Sequence, residues 1–175
     1  MALIVSGDRV ELARSVDYLD EPSIALRRPW NYRHRRASEV VSMVVLHSTL
    51  GWPDHKHKVQ QSVRERLATA ADLGARATIE SWRGTASSEK PRFAGAQLVL
   101  DADGTVYCCA DLATVAAYHA GSVNGASVGL EVVQQRDGSF HREQLDALPA
   151  VVGAVCDLFR VPRRVCFPYS GEPRS

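Results

Sequence analysis

Apolar positions cluster into short compact runs separated by polar turns. "VVSMVVLHS", residues 40–48, is dense in β-branched residues and reads as a buried strand. "PDHKHKVQQSVRERLATAADLG", residues 53–74, reads as a helix. Asp54 can cap its start, Gly74 can end it, and Val59, Val63, Leu67 and Ala71 form its apolar stripe. Residues 75–93 are polar and read mostly as loop. In "AQLVLDADGTVYCCA" two β-rich runs flank Asp101-Ala102-Asp103-Gly104, and Gly104 can take the positive φ of a tight hairpin. "ASVGLEVV" gives another strand over Ser127–Val133. "QRDG" then turns, and "HREQLDALPAVVGAVCDLF" reads as a second helix. Its predicted buried face holds Leu145, Leu148, Val152, Val155 and Phe159. Pro149 predicts a kink or a later start. Residues 1–40 read as an irregular N-terminal extension on the surface of a domain spanning 41–175.

Strand, helix, hairpin, strand, helix is an α/β order: a central mixed β-sheet flanked by helices. A chain of 175 residues suits one such domain. Net charge is +1, so no strong electrostatic case exists for nucleic acid or an anionic membrane as partner. "RRPWNYRHRR", Arg27 to Arg36, is locally basic and reads as a solvated, extended arm. The first residues lack a signal peptide's basic and apolar regions, which places synthesis in the cytoplasm. A monomer is expected. Cys108, Cys109, Cys156 and Cys166 show no metal-finger spacing and read as reduced and mostly buried. Adjacent Cys108 and Cys109 should face opposite sides of a strand.

Three polar residues sit where an apolar core would not choose them. His47 ends the first strand, His119 lies in the small-residue loop "AAYHAGSVNG", and Glu131 interrupts "VGLEVV". Periodicity alone puts Glu131 on a solvent-exposed face, and a lone histidine is usually structural. Taken together the three suggest a cleft with a metal or a general base, because histidine and glutamate do both jobs. His55 and His57 face different ways at a helix start and read as solvated. His34 and His141 read as surface residues.

"VVLHST", "AQLVLDADGTVY", "AAYHAG", an asparagine, and "SVGLEVV", in that order, resemble the zinc-dependent N-acetylmuramoyl-L-alanine amidase family. This is the family of bacteriophage T7 lysozyme, the anhydro-muropeptide amidases and the peptidoglycan recognition proteins. The resemblance runs from about Val41 to Arg164 and implies a substrate groove on one face of the sheet. It implies hydrolysis of the amide between N-acetylmuramic acid and L-alanine of peptidoglycan or a muropeptide, with zinc polarising the carbonyl. By resemblance His47 is the first zinc ligand and Glu131 the general base. His119 and Asn124 line the groove as substrate-binding residues, and His119 is not a ligand.

The chain also departs from the family pattern. Ala96-Gln97 replaces a histidine or tyrosine before the hairpin, which shifts weight to Glu131. Residues from Trp82 to Pro91 form an insertion that can reshape the groove. No histidine follows His141, so the family's second and third zinc ligands are not identifiable, and Cys166 does not match the motif. The chain is therefore expected to be a C-terminally incomplete amidase that binds zinc weakly. The alternative is a degenerate member that binds peptidoglycan without cutting it.

Overall fold

The computed structural model describes residues 2–12, 14–17, 32–49, 69, 71–82 and 95–163. Its strands are β1 (Ala2–Val5), β2 (Asp8–Glu11), β3 (Ser15–Asp17), β4 (Tyr32–His34), β5 (Met43–Ser48), β6 (Leu98–Leu100), β7 (Val106–Cys108), β8 (Val115–Ala117) and β9 (Ser127–Val132). Two helices, α1 (Ala75–Ser81) and α2 (Arg142–Phe159), and a short 3-10 helix (Gly121–Ala126) complete the described elements. The main sheet has the order β3-β7-β6-β9-β5. The β6–β7 pair is antiparallel and the other three pairs are parallel, so the sheet is mixed, as the sequence predicts. Two-stranded sheets β1–β2 and β4–β8 flank it.

Strand alternation divides the core in two. Leu98, Leu100, Cys108, Val128, Leu130 and Val132 pack with Val151 and Val155 of α2. Val99, Cys109 and Val133 pack with Ala75 and Ile79 of α1 on the other face. Cys108 and Cys109 thus lie on opposite faces as expected, and both are buried thiols. A sheet covered on both sides explains the continuous apolar run in β6.

The extension is more ordered than its composition suggests. Residues 1–40 do not read as irregular chain throughout, because they supply β1–β4. Ser6 and Gly7 turn the first hairpin at positive φ, and Asp111 accepts both of their N–H groups. This pairing buries Leu3 and Ile4 in the core. Nor is the arm from Arg27 simply solvated, although its residues 27–31 lie outside the described set. Tyr32 is buried and donates its hydroxyl to Ala96 O at 2.9 Å, and Arg33 pairs with Glu39 at 2.7 Å. His34 is exposed, as predicted.

Two helix expectations change. The loop predicted from residue 75 is instead α1 as far as Ser81. Its first N–H, from Ala75, is received by Asp101 Oδ1 of the distant hairpin turn at 3.0 Å. A cap supplied across the fold leaves no local sequence signal. In α2 the helix starts at Arg142 and runs through Pro149, so the later start does not occur. Leu145 is exposed, and Gln144 turns inward instead. Gln144 Nε2 donates to Leu100 O at 3.2 Å and Val133 O at 2.7 Å, while its Oε1 receives the His141 N–H at 2.9 Å. Satisfying those carbonyls inside the core favours the amide over the leucine. His141 is accordingly a half-buried residue at the helix start rather than a surface one.

The helix predicted over residues 53–74 falls mostly outside the described residues. Its end is visible: Gly74 has φ 89° and donates its N–H to Ala71 O at 2.9 Å. Cys166 and the rest of 164–175 are likewise outside.

Gly104 holds the hairpin with φ 82°, and a Cβ there would stand 2.9 Å from the Glu143 carbonyl oxygen of α2. Gly104→Ala should therefore lower stability by roughly 2 kcal/mol, read as a reduced urea midpoint at unchanged slope. An unchanged midpoint would show that neither the turn nor the helix contact constrains this position.

Candidate functional site

Parallel pairing places His47 of β5 directly across from Glu131 of β9. Paired residues share a face, so imidazole and carboxyl emerge together on the α1 side, with Val99 of β6 on the far flank of Glu131. His119 follows β8. Its ring meets His47 edge-on, with centroids 5.2 Å apart and planes at 87°. His119 Nδ1 lies 3.0 Å from His47 Nε2, and His119 Nε2 lies 3.0 Å from Ser127 Oγ.

The loop around His119 is built to hold that ring. Asn124 Oδ1 accepts the N–H of His119 at 2.9 Å and of Ala120 at 2.6 Å. Arg35 donates to the carbonyls of Gly125 at 2.6 Å and Ser127 at 2.7 Å, pinning the loop to the start of β9. Gly129 clears the space: a Cβ there would come within 2.8 Å of His119 Cγ. Gln97, fully buried, donates to Val115 O at 3.2 Å and accepts the Gly129 N–H at 2.8 Å. The departure at Ala96-Gln97 thus fills a structural position behind the site.

Burial sets the charges. It lowers the pKa of His47, and it lowers that of His119 to about 3 with help from His47 and Arg35. Desolvation pushes Glu131 up to about 8. At pH 7 both rings are neutral and Glu131 is largely protonated. Periodicity alone would leave Glu131 solvent-exposed. It instead sits on an interior strand, keeping only a partial opening to a cleft.

The cleft has a volume of about 390 Å³ and is lined by His47, Trp82, Gly95, Tyr118, His119, Gly121, Asn124 and Glu131. All four residues singled out from the sequence therefore meet in one place. Sequence reasoning missed Ser127, Tyr118 and Gly95. The signal for Ser127 was present: in "SVGLE", Ser127, Gly129 and Glu131 alternate with Val128 and Leu130, so a polar, small-residue face opposes an apolar one.

A neutral imidazole beside an ionisable carboxyl suits metal ligation and proton transfer. His47, kept neutral by burial, fits one zinc ligand. His119 does not offer a second, because both of its ring nitrogens are engaged. Among the described residues no group of three or more His, Cys, Asp or Glu could hold a metal ion. Further ligands would come from residues outside that set.

Comparison with known proteins identifies the family and the fold. The family model for N-acetylmuramoyl-L-alanine amidase matches residues 36–167, and the chain belongs to that family. Among solved structures, a selenomethionine derivative of AmpD aligns with TM-score 0.53 and 19% identity, covering 99% of this chain and 95% of that one. It shares the fold. PGRP-Hd from Alvinella pompejana aligns with TM-score 0.49 and 16% identity, covering 89% and 88%. No curated protein matches the chain. Family membership supports amidase chemistry or binding directed at peptidoglycan.

The opposed pKa shifts give a pH signature. Glu131 binds its proton more tightly folded (about 8) than unfolded (4.5), so its contribution to stability falls as pH rises towards 8. His47 and His119 have folded values below 6.5, so their contribution is lost as pH falls below 6.5. The histidine contribution is common to the wild type and Glu131→Gln, so the difference between the two isolates the Glu131 effect. Between pH 6.5 and 8 the metal-free protein should lose about 1–2 kcal/mol that Glu131→Gln does not lose. Parallel urea-unfolding profiles for the two would place the carboxyl in water.

Proposed function

We propose that the protein hydrolyses the amide joining the lactyl group of N-acetylmuramic acid to L-alanine of the stem peptide, with zinc as cofactor. The supporting observation is the in-register placement of His47 and Glu131 at one cleft. The substrate would be peptidoglycan or a muropeptide.

His47 would hold zinc through a neutral imidazole, and zinc, when bound, would supply Lewis acidity beside the scissile carbonyl. Glu131 acts on the proton. Its carboxylate takes a proton from the attacking water as that oxygen bonds to the carbonyl carbon. The C–N bond then breaks, and the same proton passes to the leaving alanine amine. A carboxylate in water, ionised well below pH 7, would be a weaker base for the first transfer. The raised pKa of Glu131 serves both directions at neutral pH, and a cation in the cleft would favour its ionised form. Asn124 and His119 shape the wall against which substrate lies, and the amide nitrogen of Asn124 is the donor it can offer a substrate carbonyl.

Glu131→Gln in the full-length protein should lower muropeptide turnover about 10²–10⁴-fold while zinc content stays near normal. His47→Ala should lose zinc first. Chromatography of the released stem peptide together with metal analysis reads both. Loss of zinc on Glu131→Gln would make Glu131 a ligand. A zinc-loaded protein that binds muropeptides and leaves them intact would replace the enzyme with a binding module.

A further inference from the structure

We propose that Ser127 is a positioning residue: through His119 it fixes His47 as the Nε2–H tautomer, leaving Nδ1 as the nitrogen that can bind a metal.

The polarity starts at a group that cannot change its role. Ser127 Oγ lies 2.7 Å from Val123 O. A carbonyl only accepts, so the single hydroxyl proton of Ser127 points to it. Toward His119, Ser127 Oγ then offers only lone pairs, and the proton in the 3.0 Å contact belongs to His119 Nε2. A neutral imidazole carries one N–H, so His119 Nδ1 is an acceptor. The proton in the 3.0 Å contact between the rings therefore belongs to His47 Nε2. That assignment leaves Nδ1 of His47 without a proton. Above pH 7 both rings are neutral even at an ordinary histidine pKa, so the chain of donors does not depend on the depressed values.

The surroundings hold the relay in one direction. Ser127 is fully buried, and its own carbonyl is held by Arg35 at 2.7 Å. His119 is closed on both ring nitrogens, and its ring lies where only a glycine at 129 leaves room. Rotating it would break two hydrogen bonds and strand a buried N–H, which costs more than stranding an acceptor. An outer residue that fixes a ligand's tautomer in this way commonly matters about 10–100-fold for metal affinity. The assignment of tautomers stands on the hydrogen bonds alone; only its consequence for zinc rests on the function proposed above.

Two-bond ¹H–¹⁵N correlation spectra of the metal-free wild-type protein at pH 8 read each ring nitrogen directly. Both His47 and His119 should show protonated Nε2 and bare Nδ1. A protonated Nδ1 on either ring would overturn the inference, whether or not any variant folds. Ser127→Ala removes the acceptor and should give mixed tautomers on both rings, with zinc affinity reduced about tenfold. Ser127→Thr, which keeps the hydroxyl, should restore single tautomers. Single tautomers and unchanged affinity in Ser127→Ala would also overturn it. If the wild type shows the expected tautomers yet zinc does not shift His47 Nδ1, the relay stands and the zinc reading of the site fails.

Discussion

The parallel pairing of β5 with β9 is the constraint on which the cleft depends. It sets His47 opposite Glu131, and a slip of one residue would turn one of them to the other face of the sheet. The register is held from behind. Val128, Leu130 and Val132 occupy the opposite face of β9 and pack under α2, so a slip would also expose three core side chains. Pairing of β6 on the far side of β9 then encloses Glu131 between two strands. Desolvation of its carboxyl is a consequence of that central position.

Polar groups so placed are costly unless their hydrogen bonds are met. Around this cleft those of the two imidazoles and of the loop behind them are met by a connected set that begins in the backbone. Arg35 gathers carbonyls of the 3-10 helix and of β9, Asn124 closes the loop at His119, and Gln97 ties Gly129 to β8. Glu39 joins from the side. It receives Arg33, and a Cβ on Gly125 would overlap its carboxyl. Gly129 is demanded by the His119 ring that lies over it, and Gly125 leaves room for the Glu39 carboxyl. Such networks favour one arrangement over many. A neutral, pre-oriented pair of imidazoles beside a protonated carboxyl is what this one supports.

Much of this architecture was legible in the chain. The runs that became β5, the β6–β7 hairpin and β9 were compact and β-branched, and the Gly104 turn was explicit. His47, His119, Asn124 and Glu131 stood out because they interrupt apolar or small-residue stretches. What escaped was set by distant partners. The start of α1 is capped by Asp101 from another element, and the inward turn of Gln144 answers carbonyls of β6 and of the chain after β9. The N-terminal strands are too short to announce themselves without the edges they pair with. Glu131 shows the limit most clearly. Alternation gave its face, but only the strand order shows that face to be enclosed.

The most direct test of this picture is the ionisation of Glu131 itself. Its side-chain carboxyl carbon, followed by ¹³C NMR across pH in the metal-free protein, should titrate with a midpoint near 8. A midpoint near the ordinary 4.5 would mean that the carboxyl is hydrated. The enclosed His47–Glu131 arrangement would then not describe the protein.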